Sequence, residues 1–232
     1  DLDLLLKLGI SAIKVGSDDF TNLPLLEDYA TTKLPMIVSC GMSDMAEVFQ
    51  ALEAIGTFEG YPTILLLCTS EYPTPPENVN LLKLETLKNS FPELVVGFSD
   101  HTQGTMASSL AVGFGAVMFE KHFTLDNDLE GPDHWFSENP TGLVNWTAAI
   151  HNSFKMMGSR VIRPSKGEAE NKKEFQRVVV AKKYIQLGDV FDMDNLTVSR
   201  VSGGKGFPPS FLNTILGSKS NKVYSENAAI TI

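Results

Sequence analysis

No run of about 18 consecutive apolar residues occurs in the 232-residue chain, which argues against a membrane-spanning helix. Basic residues are short as well. Lys and Arg number 19 against 28 Asp and Glu, a formal net charge of −9, and nucleic acid needs a basic face that such a chain lacks. A small anion, which needs only local positive charge, stays open. Cysteine is nearly absent: Cys40 and Cys68 each sit beside an apolar run and read as buried, reduced small hydrophobes. The opening DLDLLLKLGISAIKVG lacks the basic start and small-residue cleavage site of a secretory leader and reads as mid-helix entering a strand, so a cytoplasmic location is the expectation. No apolar run leads into a G-x-G-x-x-G turn, so a dinucleotide fold has little support.

What is present is a strict alternation. Short β-like runs at 12–16, 35–39, 63–68, 94–98 and 116–121 are each followed by polar residues and then a helix-like stretch, at 23–31, 45–55, 81–89, 103–113 and 141–157. The runs lack polar alternation, as parallel strands covered on both faces do, and the class is α/β with right-handed βα units. Every run ends in polar or ionisable residues, as on the catalytic rim of a TIM barrel, so the expected fold is the later part of a (β/α)8 barrel spanning 1–157, with about three βα units missing. Residues 158–174 are polar and aperiodic and read as a linker. The shorter runs of 175–232 read as a small, mostly β domain.

His101 in FSDHT and His122 in FEKHF directly follow consecutive strands, which puts both imidazoles on one rim, within reach of a single divalent metal. Two histidines cannot close a structural site, so a metal there keeps positions open; each could equally be a satisfied strand-end histidine. Alternation places Ser99 with His101, and Glu120 with His122. Lys14, in a strand expected to be buried on both sides, needs an anionic partner. Ser17, Ser39, Ser70 and Ser99 close four successive strands and, with Lys14, suit a phosphate ring. Asp19 adds a carboxylate after the first strand. Tyr72 lies in a proline-stiffened loop where it could pack or touch a ligand, and Asp133 in GPDH reads alone as a helix cap. Trp135 and Trp146 read as packing, His151 as a helix-surface residue.

Taken together, IKVGSDDFTNLPLL, PMIVSCGMS, LLLCTSEYPTPPENVNL, VGFSDHTQG and FEKHFTLDNDLEGPDH resemble the N-acetylneuraminate (sialic acid) synthase family. RVVVAKKYIQLGDVFDMDNLTVSRVSGGKGFPPSFLNTILG is similar to that family's C-terminal antifreeze-like (SAF) domain. The resemblance implies a metal-dependent transferase that condenses phosphoenolpyruvate with an N-acetylated mannose-type amino sugar into a nine-carbon 2-keto acid plus phosphate. It implies Mn²⁺ or Mg²⁺ on His101 and His122, with Asp19 and Glu120 beside them as catalytic candidates. Phosphoenolpyruvate falls to Lys14, Ser17, Ser39, Ser70 and Ser99, the sugar to Tyr72 and Asp133. Arg200 would reach its N-acyl group in a homodimer with exchanged C-terminal domains. Asp19 stands where some members carry glutamate, and Ser70 where some carry asparagine. The competing readings are a Schiff-base aldolase using Lys14 and a non-catalytic carbohydrate-binding protein on an incomplete barrel.

Overall fold

The computed structural model describes residues 2–203 and 205–231. They form two compact units that divide after Gly158. In the first unit, strands β1 (Ile13–Val15), β2 (Met36–Ser39), β3 (Thr63–Cys68), β4 (Val95–Asp100) and β5 (Phe119–Lys121) make one parallel sheet in chain order. Helix α1 (Leu2–Lys7) precedes it; α2 (Leu23–Ala30), α3 (Met45–Ile55), α4 (Lys83–Ser90) and α5 (Met106–Gly113) connect the strands, and α6 (Pro140–Met157) follows. A doubly wound sheet reverses its strand order at a switch point. This one does not reverse, and right-handed crossovers in one direction keep the helices on one face, as in a barrel.

Local chemistry sets the helix limits. Asp44 accepts from the Glu47 N–H while the Glu47 carboxylate returns to the Asp44 N–H, and Gly56 closes α3 at φ 83°. Asn139 caps α6 through the Gly142 N–H, with Pro140 in the first turn.

Register then sorts the side chains. Lys14 lies opposite Ile37, Ser39 opposite Leu66, Leu66 opposite Gly97, and Cys68 opposite Ser99, which faces Glu120. The alternate set (Ile13, Val15, Met36, Val38, Leu65, Leu67, Val96, Phe98) packs under the helices as the main core. Lys14 thus departs from expectation: only one face of β1 is covered, and its side chain, 32% exposed, projects from the other.

The second unit holds α7 (Lys166–Phe175), an antiparallel pair β6 (Arg177–Ala181) and β7 (Leu196–Arg200), and the short α8 (Leu212–Ile215). Its core gathers Val179, Ile185, Phe191, Leu196, Tyr224 and Ile230. Among the described residues of this unit regular strand is confined to β6 and β7, and further pairing comes from isolated bridges such as Ile185 with Tyr224. The aperiodic linker expected at 158–174 is helix from Lys166 onward. No residue of α7 is buried, so hydrophobic periodicity had nothing to report, but Ser165 and Glu168 form a reciprocal capping box that starts it. Among the described residues no helix is long and apolar enough to cross a membrane.

Gly97 lets three strands close up. A Cβ there would lie 2.5 Å from Leu66 Cδ2 and 2.5 Å from the Met118 carbonyl oxygen, a backbone atom that cannot swing aside. Gly97→Ala is expected to lower stability by about 1–3 kcal/mol, the range of overpacking. Urea unfolding of the variant beside the parent measures it.

Candidate active site

The C-terminal ends of all five strands surround one cavity of about 510 Å³. Lys14 and the turn Gly16–Ser17–Asp18 come from β1, Ser39 and Met42 from β2, Cys68, Ser70 and Tyr72 from β3, Ser99 and His101 from β4, and Glu120 and His122 from β5. Nine residues read from the sequence meet here: Lys14, Ser17, Ser39, Ser70, Tyr72, Ser99, His101, Glu120 and His122.

On one side of the cavity lies a hydroxyl and ammonium cluster. Lys14 Nζ donates to the Val15 carbonyl at 2.7 Å and to Ser39 Oγ at 2.8 Å, and stands 3.6 Å from Glu120 Oε1. Ser99 Oγ donates to the same Glu120 oxygen at 2.7 Å. The Gly41 N–H donates to Ser17 Oγ at 3.0 Å. Ser70 Oγ is buried and has no hydrogen-bond partner among the described residues, a condition that costs about 1–3 kcal/mol when nothing else satisfies the group. A Cβ on Gly41 would collide with the Ser70 hydroxyl and lie 2.7 Å from that of Ser17, so this glycine keeps the space between them open.

On the other side are the imidazoles. The rings of His101 and His122 are 5.1 Å apart at 77°, and the half-exposed Tyr72 leans on both, at 4.4 and 5.5 Å. Phe136 backs His122 at 5.1 Å. His101 Nδ1 is 2.8 Å from the Thr69 carbonyl oxygen. A carbonyl only accepts, so Nδ1 carries the proton and Nε2 keeps its lone pair when the ring is neutral. Burial pulls the His101 pKa down, but hydrogen bonds to Cys68 and the Thr69 carbonyl, with the Cys68 and Asp100 charges, outweigh it and leave it raised. Burial and the neighbouring His101 lower that of His122, against the pull of Asp133 and Glu120. The Cys68 pKa also falls: burial raises it, yet hydrogen bonds from His101, Ser17 and Ser99 prevail. Cys40 is pushed up to about 12 by burial and by Cys68. Both cysteines are free and buried, as their flanking apolar runs suggested.

The remaining expected residues lie elsewhere. Asp19 is exposed within a tight turn, and the carboxylate that lines the cavity is its neighbour Asp18; one position along a turn redirects a side chain, which residue spacing cannot resolve. Asp133 is at the margin, Oδ2 3.7 Å from His122 Nδ1 and 54% exposed. Arg200 is exposed at the end of β7 in the second unit. Trp146 is buried as expected, and His151 is on the helix surface; Trp135, expected to pack, is 57% exposed, with its ring T-shaped to Phe136 at 5.6 Å. Gly41, Asp18 and Met42 join the site beyond the residues expected from the sequence, and the glycine directly after Cys40 is the sequence sign of that close approach.

Among the described residues no group of three or more His, Cys, Asp and Glu side chains is placed to hold a metal. The His101 and His122 pair fits a partial ligand set: the backbone carbonyl on His101 Nδ1 is the partner that orients ligating histidines, and open positions would remain for water or substrate.

An unreversed parallel sheet whose strand ends ring a polar cavity is the arrangement of part of a (β/α) barrel, with the cavity on its C-terminal rim. The NeuB family profile matches residues 1–162, and the chain belongs to the NeuB family. It is 38% identical over 231 residues to the N,N'-diacetyllegionaminic acid synthase of Campylobacter jejuni, covering 99% of this chain and 68% of that protein. With the human N-acetylneuraminate-9-phosphate synthase the identity is 34%, over 94% of this chain and 60% of the relative. The crystal structure of N-acetylneuraminic acid synthetase from Leptospira borgpetersenii, in complex with citrate, superposes with TM-score 0.67 and 34% identity, over 73% of this chain and 59% of that one. The chain therefore spans about two thirds of the length of the curated relatives it matches.

The tautomer can be checked directly. Long-range ¹H–¹⁵N spectra of metal-free protein above the His101 pKa are expected to show it protonated on Nδ1. An Nε2–H form would mean that the Thr69 contact does not govern the ring.

Proposed function

We propose that this chain is the substrate-binding part of a barrel synthase that condenses phosphoenolpyruvate with an N-acetylated amino-sugar aldose. In that reaction C3 of phosphoenolpyruvate forms a bond to the aldehyde carbon, water adds at C2, and phosphate leaves. The observation that carries the reading is the ring of Lys14, Ser17, Ser39, Ser70 and Ser99 around one cavity, with the Ser70 hydroxyl unpartnered among the described residues and Gly41 holding the space open.

Each residue then has a task. Lys14 and the serines bind the anionic substrate by charge-assisted hydrogen bonds. Glu120 now occupies Lys14 and Ser99, so an entering phosphate or carboxylate must take its place on both. Tyr72 and Asp133, at the cavity mouth, contact the sugar. His101 and His122 would hold a divalent metal, Mn²⁺ or Mg²⁺, which supplies Lewis-acid polarisation of the aldehyde oxygen. Among the described residues β1 and β5 are the edges of the sheet, and a closed barrel pairs both. The Schiff-base alternative is disfavoured because the serine hydroxyls around Lys14 and the paired histidines suit an anion and a divalent cation rather than a carbinolamine.

In the full-length protein, phosphate release from phosphoenolpyruvate with a panel of N-acetylated and diacetamido sugars tests the reading. One sugar should be consumed, EDTA should stop turnover and Mn²⁺ should restore it. Lys14→Met should raise the KM for phosphoenolpyruvate by about tenfold to a hundredfold, the equivalent of a lost charge-assisted bond, and leave that for the sugar nearly unchanged. No phosphate release with any sugar, or a borohydride-trapped adduct on Lys14, rejects it.

The resemblance extends the proposal to an antifreeze-like second unit and a homodimer in which Arg200 serves the partner's sugar. Arg200→Ala and His122→Ala should each be inactive alone and recover up to about half of parent activity per heterodimer when co-expressed, by two-fold symmetry. Heterodimers without recovery would remove Arg200 from that role.

A further inference from the structure

Behind the two imidazoles, on the opposite face of the same strands, lies a charge pair that never reaches the cavity. Asp100 on β4 and Lys121 on β5 are register partners, with Nζ 3.1 Å from Oδ2 and side chains 0% and 3% exposed. A buried ion pair gains little over well-packed apolar side chains, because both ions must be stripped of water. This one is instead fully wired. Asp100 Oδ1 accepts from the Thr102 N–H at 2.8 Å and the Thr102 hydroxyl at 2.7 Å, and Oδ2 accepts from Ser108 Oγ at 2.5 Å. Ser108 Oγ in turn accepts from Trp146 Nε1 at 2.9 Å, tying α5 and α6 to the strand. Lys121 Nζ donates to the Thr102 carbonyl at 2.6 Å and has Glu138 as a second carboxylate at 3.8 Å.

These bonds close around the histidines. Asp100 grips Thr102 across the one residue between them, His101, and Lys121 holds the far side of Thr102 from the next strand. Lys121 directly precedes His122, whose carbonyl accepts from the Glu138 N–H at 2.9 Å, while the Glu138 side chain faces Lys121. Both backbones that carry the imidazoles are therefore fixed to one buried network. We propose that the Asp100–Lys121 pair is a positioning device that sets the separation and orientation of His101 and His122, and with them the affinity of the site for a divalent cation. The cation arm rests on the proposed function; the positioning arm does not.

The test uses the full-length protein with Asp100→Asn, Lys121→Met and the milder Ser108→Ala. Leu52→Ala, a core truncation on α3, is the stability control. Three quantities are read: thermal unfolding, the Mn²⁺ dissociation constant by calorimetry, and the ring resonances of His101 and His122 in metal-free protein at a pH where both rings are neutral, so that loss of the Asp100 charge does not act through protonation. Asp100→Asn and Lys121→Met are expected to weaken Mn²⁺ binding at least tenfold and to shift both sets of ring resonances. Ser108→Ala should move both readouts the same way by less, and Lys121→Arg, which keeps the cation, should restore most of the affinity. Leu52→Ala should lower the Tm and change neither readout. If folded Asp100 and Lys121 variants keep parent ring resonances and Mn²⁺ affinity, the pair only stabilises the fold and the inference is overturned. If those two variants do not fold, Ser108→Ala decides by the same criteria. If the parent protein fails to bind Mn²⁺, the metal reading of the site falls, and the ring resonances alone decide the positioning.

Discussion

Successive side chains of a strand must go to opposite faces, and in a parallel sheet held in register each layer lines up with the layer on the next strand. Everything in the first unit follows from where that alternation falls. At the ends of β4 and β5, one parity puts Ser99, His101, Glu120 and His122 into the cavity, and the other puts Asp100 and Lys121 beneath the helices. A slip of one residue would exchange the two sets, burying imidazoles against α5 and presenting a salt bridge to the ligand. The apolar residues of the outward parity, Val96 and Phe98 on β4 with Leu65 and Leu67 on β3, make that slip expensive. Core and chemistry are thus specified by the same hydrophobic pattern.

The charge distribution obeys a similar economy. A chain of net charge −9 repels anions at long range, so a phosphate site in it must be made from short-range donors. The cavity supplies one lysine, four serine hydroxyls and two imidazoles against the carboxylates of Asp18 and Glu120. Glu120 offsets part of that local positive charge, since one of its oxygens is shared by Lys14 and Ser99.

Much of this was legible in the sequence, and the reasons are specific. The run 63–68 and the helix 45–55 were read with the bounds the structure shows, because one is uninterrupted β-branched and leucine-rich chain and the other has Asp44 and Gly56 as punctuation. The histidines were legible because each directly follows an apolar run. Other features lay beyond the pattern. Asp18 rather than Asp19 faces the cavity because a turn has no period to extrapolate. The capping box of α7 was overlooked because the helix has no apolar face. The Asp100–Lys121 pair is invisible to residue spacing: only register makes a residue in one motif the partner of a residue in another.

The two imidazoles show what such positioning achieves. At 5.1 Å two rings cannot both carry charge without cost, so the proton settles on the one with better acceptors. That ring is His101, whose pKa is raised despite burial by the Thr69 carbonyl and Cys68, whereas His122 is lowered by burial and by His101 itself. The Thr69 bond engages Nδ1, so the proton that His101 gives up first is the one on Nε2, away from that carbonyl. Deprotonation therefore leaves a neutral ring still anchored at Nδ1, with a lone pair at Nε2. An imidazole without that anchor could turn either nitrogen to its surroundings, and the direction of the Nε2 lone pair would not be defined.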